Sequence, residues 1–399
     1  MNPSYFIKPR YDQSGFASIP IHIWDIFFQK QYDTVILFLI DSFGWRFFDK
    51  FQGESFLCHL ARHGDVQKIT SQFPSTTAAH VTTLHTGLEV GQHGIYEWFY
   101  YEPSLDMLIA PLLFSRAGDL ARDTLKPLNA QPALLYPPKT LYHDLLNLGV
   151  DSHVFQHREY TPSTYSDISY QHASAHPYKT LPEALVNLEF LLERQQRPTY
   201  IVIYFDRLDA ISHEYGPGSR QTEAEIIALI QVLAKLFLPV LSSRRNRTLF
   251  LLTADHGQTE TDPATTVFIN QDKGLKGIER YIRANRAGQL LIPAGSCRDM
   301  FLYIQDGLLG EAQDFLARGL EGKADVVKVQ TLIEHGYFGP EPVSESFQSR
   351  IADLVILPYP GESVWWYEKD KFEQRYYGHH GGLTPLEMEI PLIRYETAA

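Results

Sequence analysis

Residues 249–257 read LFLLTADHG. The apolar run is too short for a helix of ordinary length and suits a strand buried on both faces. It ends abruptly in Asp255, His256 and Gly257, a carboxylate and an imidazole followed by a turn residue. The same design recurs elsewhere in the chain. TVILFLID (34–41) ends at Asp41, and YIVIYFDRLDAISH (200–213) carries Asp209 and His213. Near the C-terminus, the glycine-rich turn GHHGG (378–382) carries His379 and His380. Between the first two clusters lies FPSTTAAH (73–80), with Thr76 and Thr77 where a helix would begin.

The runs 34–40, 151–156, 200–205 and 248–253 are short and continuously apolar, and they alternate with helical stretches such as 181–195 and 221–242. That pattern predicts an α/β fold, a mostly parallel central sheet with helices on both faces. Ligands in such sheets bind beyond the carboxyl ends of the strands, where Asp41, Asp209 and Asp255 fall. The expected core spans 1–95, 141–262 and 351–399. Residues 96–140, rich in Tyr, Pro and Leu, read as an irregular insertion. Residues 263–350 read as a small α+β cap, with MFLYIQ (300–305), a helix-like GEAQDFLARGL and DVVKVQT (325–331). ADLVILPYP (352–360) is expected to return to the main sheet.

The chain has 399 residues, enough for a large core, and a formal net charge of −12. An acidic surface disfavours polymeric nucleic acid as a partner, since that binding depends on basic residues. It leaves a small phosphate ester open as substrate, because bound metal ions reverse the local sign. The two cysteines, Cys58 and Cys297, form no C-x-x-C and no disulfide framework. The N-terminus MNPSYFIKPRYDQSGF has no apolar signal-type stretch, and no run reaches the ~18 apolar residues of a membrane span. The expectation is a cytoplasmic protein, with the sequon Asn246-Arg247-Thr248 a chance match.

Each cluster has an ordinary alternative. Ser75, Thr76 and Thr77 suit a plain helix cap, but a first-turn threonine also sits where free N–H groups favour an anion. Asp209 and His213 are four apart, so a helical turn puts them on one side; a polar strand-to-loop turn would look the same. Asp255–His256 could be a cap beside a surface histidine, and His379–His380 a surface pair. What is specific is the set of five clusters in this order. Hard carboxylates with imidazoles suit Zn²⁺-like ions, and a threonine beside such ions is a candidate nucleophile. No G-x-S-x-G elbow and no Walker-type loop is present.

The chain resembles the alkaline phosphatase superfamily, and within it the nucleotide pyrophosphatase/phosphodiesterase-like branch. The resemblance rests on LIDSFGW, FPSTTAAHVTTLHTGLEVGQHGI, YFDRLDAISHEYGPGS, TADHGQ, PAGSCRDMFLYI and HGGLTPLEMEIPLI. It implies two divalent ions, usually zinc, with manganese or iron as alternatives. One would be held by Asp41, Asp255 and His256 beside the nucleophile Thr77. The other would be held by Asp209, His213 and His380. The branch's spacing selects Thr77 over Thr76 and His380 over His379. Three aspartates and a threonine alkoxide carry four negative charges, which two divalent cations balance. The implied reaction is hydrolysis of phosphodiester or pyrophosphate bonds through a phosphothreonine. A phosphomonoesterase or phosphonate hydrolase is the alternative, and a non-catalytic binding protein a more distant one.

Two positions depart from the branch. A base-stacking slot would place an aromatic just after the nucleophile, where this chain has Ala78; Tyr204 matches the slot's other side. An asparagine that contacts a phosphate oxygen aligns with Glu97, whose carboxylate would repel that phosphate unless protonated, paired or turned away. The aromatic segment 96–101 is expected mainly to pack.

Overall fold

All seven residues of β1 (Thr34–Ile40) are buried, which explains why that run carries no polar alternation: helices cover both of its faces. In the computed structural model, which describes residues 1 and 3–397, β1 is the centre of a seven-stranded sheet. The other strands are β2 (Asp65–Thr70), β3 (Asp151–His157), β4 (Ser174–Tyr178), β5 (Thr199–Phe205), β6 (Thr248–Thr253) and β7 (Glu389–Glu396). Their order is β2-β7-β6-β1-β5-β3-β4. The β6-β1-β5-β3-β4 portion is parallel, and β7 runs antiparallel to both β6 and β2. The mostly parallel α/β architecture read from the sequence is therefore the one observed.

The direction of β7 decides where the C-terminal histidines fall. Its first residue, Glu389, pairs with Thr70 at the end of β2, and Leu392 pairs with Thr253 at the end of β6. An antiparallel strand thus delivers the 378–382 turn that precedes it to the edge where β1, β5 and β6 terminate. β2 ends at the same edge and feeds residues 71–76 into helix α1 (Thr77–Thr86).

Arg220–Ser242 is, among the described residues, the one helix whose length and composition would let it cross a bilayer. Here its apolar face packs inward. The Phe237 ring, fully buried, meets Phe38, Phe56 and Phe250. Truncating such a ring costs about 3–5 kcal/mol, a large part of the roughly 5–15 kcal/mol that holds a domain folded.

Two regions differ from expectation. Residues 96–140 are not irregular throughout: Tyr100–Glu102, Met107–Ala110 and Ser115–Arg116 form a three-stranded antiparallel ribbon. A buried ion pair, Arg350 Nε to Glu102 Oε2 at 2.7 Å, ties it to the body. Tyr96 and Tyr100 are fully buried, with Tyr96 packed edge-on against Phe301. The run Leu354–Pro358 does not return to the main sheet. It is the middle strand of the cap, between Met300–Leu302 and Ala324–Lys328. Its five residues are buried, so it needs a neighbour on each side; the edge places of the main sheet are held by β2 and β4. Val364–Trp365 also pairs with Val267–Phe268 in the cap, so the cap extends past residue 350.

Candidate metal centre

Asp41 is the first residue beyond β1, and its N–H donates to Phe205 O across the sheet. Its carboxylate is buried, with Oδ1 lying 3.5 Å from His256 Nε2. Asp255 follows β6 by two residues. Its Oδ1 accepts from the N–H groups of Ser42 (3.1 Å) and His256 (2.9 Å), and its Oδ2 lies 3.4 Å from His256 Nε2. The two strand-end turns touch: a Cβ on Gly44 would come within 2.7 Å of the Gly257 Cα, so only glycine lets them close over the carboxylates.

Asp209 and His213 lie on helix α2 (Arg207–Tyr215), which leaves the end of β5. Asp209 Oδ2 is 3.3 Å from His213 Nε2, and Asp209 Oδ1 is 3.8 Å from His380 Nε2. The His380 and His256 rings stack with centroids 3.7 Å apart. All six side chains therefore converge at one edge of the sheet. Two overlapping groups, Asp209–His213–His380 and Asp41–Asp209–His256, hold ligand-type atoms within 4.8 Å of one another.

The three imidazoles share one arrangement. His256 Nδ1 donates to Gly257 O, His213 Nδ1 to Gly378 O and His380 Nδ1 to Ser75 O, at 3.1, 2.7 and 2.9 Å. A carbonyl can only accept, so each ring carries a proton on Nδ1 and turns its Nε2 toward the centre, the orientation that metal-bound histidines share. His379 behaves differently. Its Nδ1 turns back to the His380 backbone and its ring packs edge-on against His213.

The carboxylates also fit cations. Asp41 Oδ1 and Asp255 Oδ2 are buried with no hydrogen-bond donor, a costly condition for an anion. Burial, with Asp255 and Asp209 nearby, pushes the Asp41 carboxyl well above its ordinary value. Burial likewise raises Asp255. For Asp209 burial acts in the same direction, but the adjacent His213 outweighs it and holds the carboxyl below the usual range. Divalent ions would supply the charge that the buried oxygens lack.

Thr77 opens α1, with its hydroxyl 3.2 Å from His256 Nε2 and 3.5 Å from Asp41 Oδ2. The residue before it, Thr76, is extended and its side chain does not cap the helix, so an ordinary threonine cap is not what this segment forms. The first-turn N–H groups stay available to an anion. His80, one turn on, braces the turn: Nδ1 donates to Thr76 O at 2.7 Å, while Nε2 accepts from Gln72 N at 2.9 Å. Burial pushes this imidazole down to about 3, so it is a neutral brace.

The remaining sequence candidates sit as follows. Tyr204 donates its hydroxyl to Asp41 Oδ2. Ala78 is fully buried in the first turn of α1. Glu97 is fully buried and contacts the Trp98 N–H, the Thr76 side chain and Asp299; burial raises its carboxyl to about 8. None of these contacts is with Thr77. Three contributors are not evident from the sequence. Asp299, in PAGSCRDM, is buried beside Ser296, whose hydroxyl lies 2.5 Å from Asp299 Oδ1 and 3.0 Å from His380 O. Gly381, at φ +124°, leaves room for both: a Cβ there would meet each at 2.5 Å. Tyr160 donates to Asp206, next to the centre, at 2.7 Å. Gln258 donates to Asp209. Of these, only Gln258 and Asp299 lie inside motifs that the sequence marks.

A family model described as type I phosphodiesterase / nucleotide pyrophosphatase matches residues 35–383. The chain belongs to that family. It is accordingly a hydrolase of the phosphodiesterase/pyrophosphatase kind, from a metal-dependent family. Among solved structures it is similar to murine ectonucleotide pyrophosphatase/phosphodiesterase 5, with a TM-score of 0.67 and 17% identity over 90% of this chain and 87% of that one. An inactive variant of the murine protein in complex with AMP gives the same values. The human protein of that name follows at TM-score 0.64 and 16% identity, with the same coverage. At such identities these likenesses speak for the fold. A search of curated proteins returned no match.

Proposed function

We propose that the chain hydrolyses phosphodiester or pyrophosphate bonds of a small phosphate ester, with Thr77 as nucleophile and two divalent cations, zinc first among them. One cation would be held by Asp41, Asp255 and His256, the other by Asp209, His213 and His380. The observation that carries this reading is the set of three Nε2 atoms and three carboxylates turned toward one point beside Thr77, with two carboxylate oxygens there lacking any donor.

Bound divalent cations would act there as Lewis acids, favouring the Thr77 alkoxide and stabilising charge on the phosphoryl oxygens. The chain's own residues do the rest. The uncapped start of α1 directs N–H groups at the phosphoryl group, and the helix dipole favours its charge. Thr77 Oγ1 attacks phosphorus as the leaving group's oxygen departs, giving a phosphothreonine. Water then attacks phosphorus and returns the Thr77 hydroxyl. The buried histidines present Nε2 as ligands and are not free to shuttle protons.

The test is a panel of bis-aryl phosphodiester, aryl phosphomonoester, dinucleotide and phosphonate substrates, run after chelation and after zinc or manganese is returned. Diester or dinucleotide cleavage that disappears on chelation and reappears with metal is expected. Equal cleavage with and without chelator would remove the metal from the account. A preference for the monoester would replace the diesterase reading with its monoesterase alternative.

A further inference from the structure

Gln258 lies two residues past His256 yet reaches the other ligand group. Its side-chain Nε2 sits 2.5 Å from Asp209 Oδ1 and 3.3 Å from the Asp209 backbone oxygen. A carboxylate accepts only, so the amide must present its NH₂ side to Asp209. The opposite end, Oε1, is fully buried and has no donor. It also faces Gly378, where a Cβ would stand 2.5 Å from it. A residue kept for packing would be apolar and leave no orphan acceptor there. The unsatisfied Oε1 accompanies a donor delivered to one oxygen of one ligand.

Asp209 is the residue common to both candidate cation groups. With Oδ1 held by Gln258, Oδ2 is the oxygen that lies against His213. We infer that Gln258 is a positioning residue: its amide fixes the rotation of Asp209, so that the ion at Asp209–His213–His380 meets a preset carboxylate. The donor is neutral, so it orients Asp209 without cancelling the negative charge that draws the cation. This inference rests on the two-cation reading.

The test is zinc titration of the chelated, full-length protein, wild type against Gln258→Met, followed by calorimetry. Methionine matches the length and removes the donor; Gln258→Leu is the second variant should the first fail to fold. The wild type should bind two ions per chain. In the variant, one ion should bind as before and the other about 10–100-fold more weakly, the usual cost of losing an outer-shell partner. The melting temperature of the metal-free variant should match the wild type. Two ions bound as in wild type would overturn the inference alone. So would equal weakening of both ions, or a metal-free variant that melts earlier, because either marks a packing role. A wild type that binds fewer than two ions would overturn the two-cation reading itself.

Discussion

The two ligand groups meet at one sheet edge, but the protein treats them differently. Asp41, Asp255 and His256 are buried, and two of their carboxylate oxygens have no donor at all. Asp209 and His213 are only partly buried, and Asp209 already accepts from Gln258. The inner group concentrates buried carboxylate oxygens without donors, which a bound cation would compensate. The outer group is satisfied in part by the protein. On this account the inner ion binds tightly and the outer one exchanges.

The largest expected effect breaks the chemistry and spares the metals. Thr77→Ala should lower kcat on the order of 10⁴-fold or more, while the zinc content of the purified protein stays near wild type. Loss of metal together with activity would instead make Thr77 a structural element of the inner group.

Next comes the contrast itself. Dialysis of the zinc-loaded protein against increasing chelator should release two ions in separate steps, the outer first. His213→Ala should remove the early step and leave the late one. Release of both ions together, or loss of the late step in the variant, would reverse the assignment of tight and loose groups.

A smaller effect concerns the substrate. A diester carries one negative charge and a monoester two, so the Thr77 alkoxide repels the diester less. At roughly 4 Å the extra charge is worth about 1 kcal/mol or more, so kcat/KM for a bis-aryl diester should exceed that of the matching monoester by about tenfold. Steady-state kinetics with the two esters measure this ratio, and a reversed ratio contradicts it.

Glu97 separates charge near the centre from charge at it. Burial raises its carboxyl from an ordinary value near 4.5 to about 8. A group raised on folding adds stability that is fully present below its unfolded value and is lost as pH climbs through the folded one. The wild type should thus lose this contribution between about pH 4.5 and about pH 8. Glu97→Gln cannot ionise, so its melting temperature should gain on the wild type more at pH 9 than at pH 6. Equal differences at both would show that Glu97 is not held protonated. The smallest change is expected from Thr76→Ala. Its side chain meets Glu97 and does not cap α1, so kcat should fall less than about tenfold. A loss like that of Thr77→Ala would leave the nucleophile unassigned.

The sequence marked Asp41, Asp209 and Asp255 because each lies just past a buried apolar run, and a buried parallel strand leaves few other places for a carboxylate. It disclosed the parallel sheet for the same reason. It misplaced Leu354–Pro358, because five apolar residues read alike in a central sheet or in the middle of a three-stranded cap. It did not show that residues 100–116 hold a ribbon, since strands of two to four residues are too short to display a period. Gln258 and Asp299 stood in marked motifs, but their work lies in contacts to Asp209 and Ser296 that only the folded chain creates. The same is true of Glu97: whether a carboxylate faces a phosphate or a buried partner depends on its neighbours in space.

The two-cation centre stands or falls on where metal collects. Crystals of the protein grown with zinc should be measured on both sides of the zinc absorption edge. Two anomalous peaks are expected, one among Asp41, Asp255, His256 and Thr77, the other among Asp209, His213 and His380. A single peak, or peaks away from these side chains, would contradict the two-cation centre.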